Sequence, residues 1–518
     1  MRHRGLSVLF TLGLLAAAAQ FDVRAQQLPR LDAAPAYRFD AARLDAIADA
    51  KRRGLNYIPG EVVMRFKPGM GRDRQQRALD VVRSRPRVTD LEWLGDTAVL
   101  RDLSQPNSVF LAQQLALQPE VAYAEPNYLR RVPVRRLRRT VLDAGDPTIQ
   151  ATPNDPQFGS LQWNFSLIDM QHAWDINPGA TSSVLVAVVD TGITTQTQSI
   201  NFPLFTGSSI QTVSLPFAVS TDLTASRLVL PRDFVFTTTG TQVQDMDGHG
   251  THVASTIAED TNNSFRAAGI AYNVRIIPVK ACLGYWELMI QEAAANRPGF
   301  NVDPDDGFCP SAAVANGIRY AADNGAKVIN VSIGGPGSST DERNAITYAI
   351  SRGAFVAISA GNDFEDGNPT IFPASFAASI NGAMSVAAIG KSQRRSYYSS
   401  TGNWVEIAAP GGDDTDGGGQ DQGFIWQTTL VPSDSSPTKF VPRFDTYATV
   451  GYEGTSMASP HVAGLAALLV SQGVTKPEAI EALIRATAKD LGTAGKDNDF
   501  GYGLIQPRAA LRGLGIRK

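Results

Sequence analysis

The sequence predicts an α/β protein: a doubly wound, mostly parallel sheet preceded by a small α+β unit. Three observations predict it. Runs such as 184–190 and 355–360 are apolar without alternation, as strands covered on both faces are. Helical stretches at 311–324 and 341–352 separate such runs, and strand–helix alternation is the pattern of a parallel sheet. The charges also divide the chain of 518 residues. Residues 26–140 carry 21 basic and 13 acidic residues, whereas 141–518 carry 23 basic and 36 acidic, so the net charge of -3 describes neither block. Hydrophobic content of 43% with 19% charged residues excludes a disordered or collagen-like chain. Two cysteines exclude a disulfide-dense scaffold and a four-thiolate zinc site.

Residues 1–25 read as a secretory signal peptide. Arg2 and Arg4 precede an apolar run at 6–19, and Val23-Arg24-Ala25 offers a small-residue exit. The run is shorter than the roughly 20 residues that span a bilayer. The expected location is therefore outside the cell or in the periplasm, with no membrane attachment after cleavage. In an oxidising compartment Cys282 and Cys309 are expected to form one disulfide. Closing that loop contributes about 3.5 kcal/mol in the chain-entropy account.

Residues 26–129 hold the small unit. A strand-like run follows Ile58-Pro59-Gly60, a helix falls near 73–84, and a strand pair lies around 91–100. A second helix is expected near 108–117, and Val121-Ala122-Tyr123-Ala124-Glu125-Pro126-Asn127-Tyr128 closes the unit as a strand. The order β-α-β-β-α-β is the ferredoxin-like split unit. Six arginines then crowd residues 130–139. Such a run reads as a solvated, proteolytically exposed linker, assigned here to 130–150. Nucleic-acid binding is disfavoured by export and by the acidic remainder.

Residues 151–518 carry the parallel-sheet grammar, with strands expected at 184–190, 274–281, 327–333, 355–360, 384–389 and 405–409. Sites gather at the carboxyl ends of such strands. Asp190 ends the first of them, just before Thr191-Gly192. Five histidines allow elimination. His3 leaves with the signal peptide, and His172 has no glycine-rich setting. His461 is five residues after Ser456, about 140° around one helix. His249 and His252 both remain as candidate general bases, and the intervening Gly250-Thr251 supplies no glutamate for a zinc-protease signature. Ser456, in Gly454-Thr455-Ser456-Met457-Ala458-Ser459-Pro460, stands where a loop enters an alanine-rich helix, whose N–H groups and dipole can stabilise an oxyanion. A hydroxyl nucleophile needs a base, and the base an orienting carboxylate. The chain order Asp, His, Ser also excludes the α/β-hydrolase arrangement.

These blocks closely resemble those of the subtilisin-like serine peptidases: Asp190-Thr191-Gly192, His249-Gly250-Thr251-His252-Val253-Ala254, and the segment from Gly454 to Gly464. The resemblance implies Ser456 as nucleophile, His249 rather than His252 as base, and Asp190 as its carboxylate. Ser359-Ala360-Gly361-Asn362 resembles the segment whose asparagine donates to the oxyanion, with Ala360 and Gly361 beside the substrate. Ser332-Ile333-Gly334-Gly335 resembles the edge that pairs with an extended substrate, and strand addition of that kind tolerates many side chains. Residues 26–129 then resemble an inhibitory propeptide, which acts as folding chaperone and temporary inhibitor, and 130–150 its processing linker.

The resemblance thus implies a secreted, monomeric, self-processing endopeptidase of broad specificity, acting on proteins or peptides and needing no cofactor for its chemistry. A structural Ca²⁺ is left as an expectation at Asn262-Asn263-Ser264. The segment after Gly192 lacks the usual His-Pro-Asp-Leu, and with it an acidic ligand. The Asp- and Gly-rich residues 411–423 read as a surface loop that could also hold calcium. The 59 positions from Asp190 to His249, and residues 284–308, are insertions. Two rivals stand beside this reading. Asp363, Glu365 and Asp366 would suit a processing protease for basic sites, against which Ile371 puts an apolar residue near the pocket base. A catalytically dead binding protein would have lost a triad or oxyanion residue, and none is lost.

Overall fold

The computed structural model describes residues 41–82, 86, 91–94, 97–102, 104–132, 135–141, 152–205, 209–235, 242–294, 307–416, 423–434 and 441–513. The signal peptide expected at 1–25, the start of the small unit at 26–40, and residues 133–134 and 142–150 of the strip lie outside the described residues. Residues 39–518 form one compact body.

The N-terminal part opens with α1 (Ala41–Arg52), a helix not expected from residue patterning. It continues as β1 (Tyr57–Phe66), α2 (Arg72–Leu79), β2 (Leu91–Leu94), β3 (Thr97–Arg101), α3 (Ser108–Ala116) and β4 (Val121–Arg131). The split unit is thus present, with β1 antiparallel to both β3 and β4. Alternation divides its strands between two faces. Val62, Met64 and Phe66 join Leu79, Leu111 and Leu115 under the helices, while Val63 and Val99 face outward onto Ala312.

The arginine strip is less free than its composition implies. Arg130 and Arg131 belong to β4, and Arg130 is fully buried because its guanidinium finds partners for every N–H. After it, β5 (Arg135–Val141) adds to a ribbon further down the chain.

Three short helices follow, α4 (Phe158–Leu161), α5 (Trp163–Leu167) and α6 (Met170–Trp174). The parallel sheet starts with β6 (Leu185–Asp190). The first insertion is a hairpin, β7 (Gln198–Phe205) with β8 (Ile210–Phe217), trailed by the short β9 (Arg232–Asp233). Next come α7 (His249–Ala258), β10 (Arg275–Lys280), α8 (Tyr285–Ala294), β11 (Phe308–Pro310) and α9 (Ser311–Asp323). The sheet continues with β12 (Val328–Val331), α10 (Thr340–Ser351), β13 (Phe355–Ser359), β14 (Ala383–Ile389) and β15 (Ile407–Pro410). An antiparallel ribbon, β16 (Ile425–Leu430) with β19 (Tyr447–Glu453), encloses the short β17 (Ser433–Asp434) and β18 (Pro442–Arg443). The helices α11 (Thr455–Ser471), α12 (Pro477–Thr487) and α13 (Pro507–Arg512) close the chain.

The seven described strands of the main sheet lie in the order β15-β14-β13-β12-β6-β10-β9, all parallel. Strand order reverses direction beside β6, and the carboxyl ends of β6, β12 and β13 therefore share one crevice. Cys282 and Cys309 are joined as a disulfide that ties β11 to the end of β10. Among the described residues, no helix is long and apolar enough to cross a membrane.

Candidate active site

Asp190 ends β6 because the apolar run stops there and Gly192, at φ 115°, turns the chain. The first turn of α7 packs directly on that turn. A Cβ on Gly250 would stand 2.4 Å from the Gly192 carbonyl, so only glycine permits the approach. His249 Nδ1 thereby lies 2.6 Å from Asp190 Oδ1, with both side chains fully buried. Its Nε2 has no hydrogen-bond partner among the described residues.

Asp245, which sequence reasoning missed, holds this arrangement. Its carboxylate accepts from the N–H groups of Asp247, Gly248 and Thr251 and from the hydroxyls of Thr191 and Thr251. It thus laces the start of α7 to the turn after Asp190. Burial and the nearby Asp247 push its carboxyl up, and these donors oppose that. The available signal was an acidic residue just before a helix N-terminus. Lys280, at the end of an otherwise apolar strand, is a second such support. Its ammonium donates to the carbonyls of Thr191 and Gln244 and pairs with Glu287 at 2.7 Å.

Ser456 is the second residue of α11, buried at the helix N-terminus. Its hydroxyl donates to the Ser332 carbonyl at 3.1 Å, and the Ser332 hydroxyl donates to the Ser456 carbonyl at 2.8 Å. No hydrogen bond joins Ser456 to His249 in this state, and such contacts often tighten only around substrate. Asn362 Oδ1 accepts from the Thr455 N–H and hydroxyl, both at 2.9 Å, which leaves its amide N–H groups to face the cleft. Ala360 and Gly361 sit behind it at the end of β13, and Gly361 N–H donates to Thr455.

The other two histidines near the site are spent elsewhere. His252 stacks on Tyr452 at 4.3 Å and turns its Nε2 to the carbonyls of Ile425 and Val450. His461 Nδ1 lies 2.8 Å from the Met457 carbonyl and Nε2 2.8 Å from the Asn164 amide. Burial lowers its pKa to about 4, so it stays neutral.

The edge at Ser332, Ile333 and Gly334 is already paired. Arg131 N–H donates to Gly334 O at 2.8 Å and Arg131 O accepts from Gly334 N–H at 3.0 Å. On its other side the same strand pairs with β11, Phe308 opposite Arg131 and Cys309 opposite Arg130. Further along the chain, β5 pairs antiparallel with β19, the strand that leads into α11. Upstream, β4 caps two helices. Glu125 accepts from the N–H groups of Thr340 and Asp341 at the start of α10, and Asn127 Oδ1 from Ala312 N–H at the start of α9.

A cavity of about 530 Å³ opens beside Asn362, with Asp363, Glu365 and Asp366 on its wall. Ile371 fills the space between the facing segments: a Cβ on Gly334 would meet it at 2.8 Å and one on Gly361 at 2.6 Å.

Another polar cluster gathers Asp155, Asp222, Asn262 and Asn263. Asn263 Nδ2 donates to Asp222 Oδ1 at 2.7 Å, while Asp155 accepts from the N–H groups of Asn262 and Asn263. Asp222, which comes from beyond the β7–β8 hairpin, is thus the acidic residue that packs against Asn263. Residues 417–422 of the Asp-rich loop lie outside the described residues, and Asp413 and Asp416 make local hydrogen bonds.

Comparison with known proteins agrees with this geometry. The model of the subtilase family matches residues 181–503. The chain is 30% identical over 449 residues to the thermophilic serine proteinase of Bacillus sp. strain AK1, covering 87% of this chain and 86% of that one. It is 34% identical over 344 residues to thermitase of Thermoactinomyces vulgaris, covering 66% of this chain and 94% of that one. The solved structure of fervidolysin from Fervidobacterium pennivorans superposes with a TM-score of 0.63 at 23% identity, covering 89% of this chain and 62% of that one. That likeness shows the fold. By family match, sequence likeness and fold together, the chain belongs to the subtilase family and is a subtilisin-like serine endopeptidase.

Proposed function

We propose that Ser456, His249 and Asp190 are the catalytic triad of an exported, self-processing endopeptidase, with Asn362 as oxyanion donor. The observation that carries this reading is the buried 2.6 Å contact of Asp190 with His249, whose outer nitrogen has no hydrogen-bond partner among the described residues. In that mechanism Ser456 Oγ attacks the scissile carbonyl while His249 Nε2 takes its proton. Asp190 stabilises the imidazolium through Nδ1. The tetrahedral oxygen is held by the Asn362 amide and by N–H groups at the start of α11. His249 then gives the proton to the leaving amine, and water repeats the sequence on the acyl-enzyme.

The pairings of β4 and β5 support a precursor reading. One strand lies on the substrate edge and another on the ribbon that leads into α11, as an uncut chain crossing the site would lie. The caps at α9 and α10 give the N-terminal unit a hold on the catalytic part, consistent with inhibitor and chaperone. The apolar floor at Ile371 favours cleavage after varied residues that are not large. The carboxylates of Asp363, Glu365 and Asp366 beside it favour the second reading, a basic residue at the cut.

Fluorophosphonate labelling tests the enzyme itself. Activated wild type is expected to be labelled and to digest casein. Ser456→Ala is expected to resist labelling, to lose about 10⁶-fold in turnover, as subtilisin does on losing its serine, and to accumulate as the uncut precursor. Unlabelled wild type that leaves casein intact would sink the enzyme reading. Normal maturation of Ser456→Ala would sink self-processing.

We also propose a structural Ca²⁺ held by Asp155, Asp222 and Asn263. Burial, with the nearby Asp260 and Asp155, raises the Asp222 pKa to about 7 although the buried Glu259 carboxyl and Asn263 hydrogen-bond to it, and a cation would favour its charged form. Chelation is expected to lower the melting temperature by about 1–3 °C, the shift that 1–2 kcal/mol produces in a chain of this size. A melting curve indifferent to chelator and to added Ca²⁺ would count against it.

A further inference from the structure

Arg130 is an arginine with nothing left over. Its Nε–H reaches Glu342 Oε1 at 3.0 Å, and one Nη2 hydrogen reaches Glu342 Oε2 at 2.5 Å. The other Nη2 hydrogen goes to the Gly337 carbonyl at 2.7 Å, and Nη1 donates to the carbonyls of Gly335 and Pro336 at 3.2 and 2.8 Å. All five N–H donors are therefore taken, in a site where both charged side chains are fully buried. Every one of the five acceptors belongs to the catalytic part of the chain. The guanidinium belongs to the strand that must leave before substrate can enter.

Once that strand is gone, Glu342 and the carbonyls of 335–337 lose all five of the N–H donors that Arg130 supplied. Burial pushes its carboxyl up and Arg130 pulls it down, with no catalytic-part cation sharing the work. Among the described residues its ion-pair partner is Arg130, whereas the adjacent Asp341 keeps Arg319. An acidic pocket rimmed by three carbonyls gains most from a guest that restores both the positive charge and the fork of N–H donors.

The register says which substrate residue that guest is. Arg131 pairs with Gly334, and Ser332, two places back along the edge, accepts the Ser456 hydroxyl. In an antiparallel pair, two places back on the edge is two places forward on the substrate. The residue opposite Ser332 thus presents its carbonyl to Ser456, and Arg130 stands three residues before it. We propose that Glu342 is a specificity-determining residue of the mature enzyme, selecting arginine three residues upstream of the residue whose carbonyl is attacked. The three carbonyls of 335–337 complete the pocket. A lysine offers three donors from a point charge and cannot meet both carboxylate oxygens and three carbonyls, so arginine is preferred over lysine.

This inference rests on the peptidase reading and concerns a different residue from the one at the cut. It is tested with the activated enzyme and quenched peptides that differ only at that upstream position, carrying Arg, Lys, Leu or Glu. Wild type is expected to show a kcat/KM for Arg about 30-fold or more above that for Leu, with Lys between them and Glu lowest. In Glu342→Leu the ratio of Arg to Leu is expected to fall to one or below. If that variant does not mature, Arg130→Leu combined with Glu342→Leu keeps the precursor contact apolar, and the wild-type ratio stands by itself as a measurement. Equal wild-type rates on Arg and Leu, or an Arg preference that survives Glu342→Leu, overturns the inference alone. Failure to cleave any of the peptides overturns the peptidase reading and this inference with it.

Discussion

The two sheets of this molecule bury themselves in different ways. Strands β6, β10, β12, β13 and β14 are apolar along nearly their whole length and are covered on both faces by helices of their own part of the chain. The N-terminal sheet has α2 and α3 on one face only. Its other face, and the polar residues Glu125, Asn127 and Arg130, are buried against α9, α10 and the substrate edge. One sheet carries its own core, and the other borrows much of its burial from the catalytic part. A part built this way depends on its contacts with α9, α10 and the edge at 334–337 for its burial.

Breaking the borrowed contact should therefore cost most. In the uncut Ser456→Ala precursor, Arg130→Ala leaves Glu342 buried without its cation. It is expected to destabilise docking of the N-terminal unit by about 3–5 kcal/mol. Calorimetry should show the transition of the N-terminal unit falling while that of the catalytic part holds, and a shift below 1 kcal/mol would contradict the comparison. The self-contained core is probed by pH instead. His461 is fully buried with a pKa near 4, against 6.5 in the unfolded chain. Between those values the unfolded state binds the extra proton, so stability is whole above pH 6.5 and declines as pH falls toward 4. The loss is roughly 3 kcal/mol. His461→Gln, which does not titrate, is expected to flatten that decline in denaturant titrations of the precursor. An unchanged slope would show that other groups govern acid sensitivity.

How far the site was legible follows from how local each signal was. Asp190, His249, Ser456 and Asn362 each sit in a short motif at the end of a strand or start of a helix, so the residues could be named before any coordinate. His252 could not be set aside from spacing, because what removes it is a ribbon about 170 to 200 positions away. Asp222 was overlooked for a related reason, since the β7–β8 hairpin separates it from the segment where an acidic residue was sought. The arginine strip misled because composition counts charges and ignores acceptors. Five acceptors gathered from positions 335–342 make Arg130 a core residue.

By itself the sequence determined the two-part α/β architecture and the order of the catalytic blocks. Both are written in local periodicity and in residues that are neighbours along the chain. Tertiary structure alone decided that an arginine on one sheet meets a glutamate 212 positions later, that Asp245 laces two turns together, and that Ile371 closes the space between two glycines. Those contacts depend on which surfaces the fold brings within a few ångströms, and a buried charge or a filled floor has meaning only once water has been excluded from it.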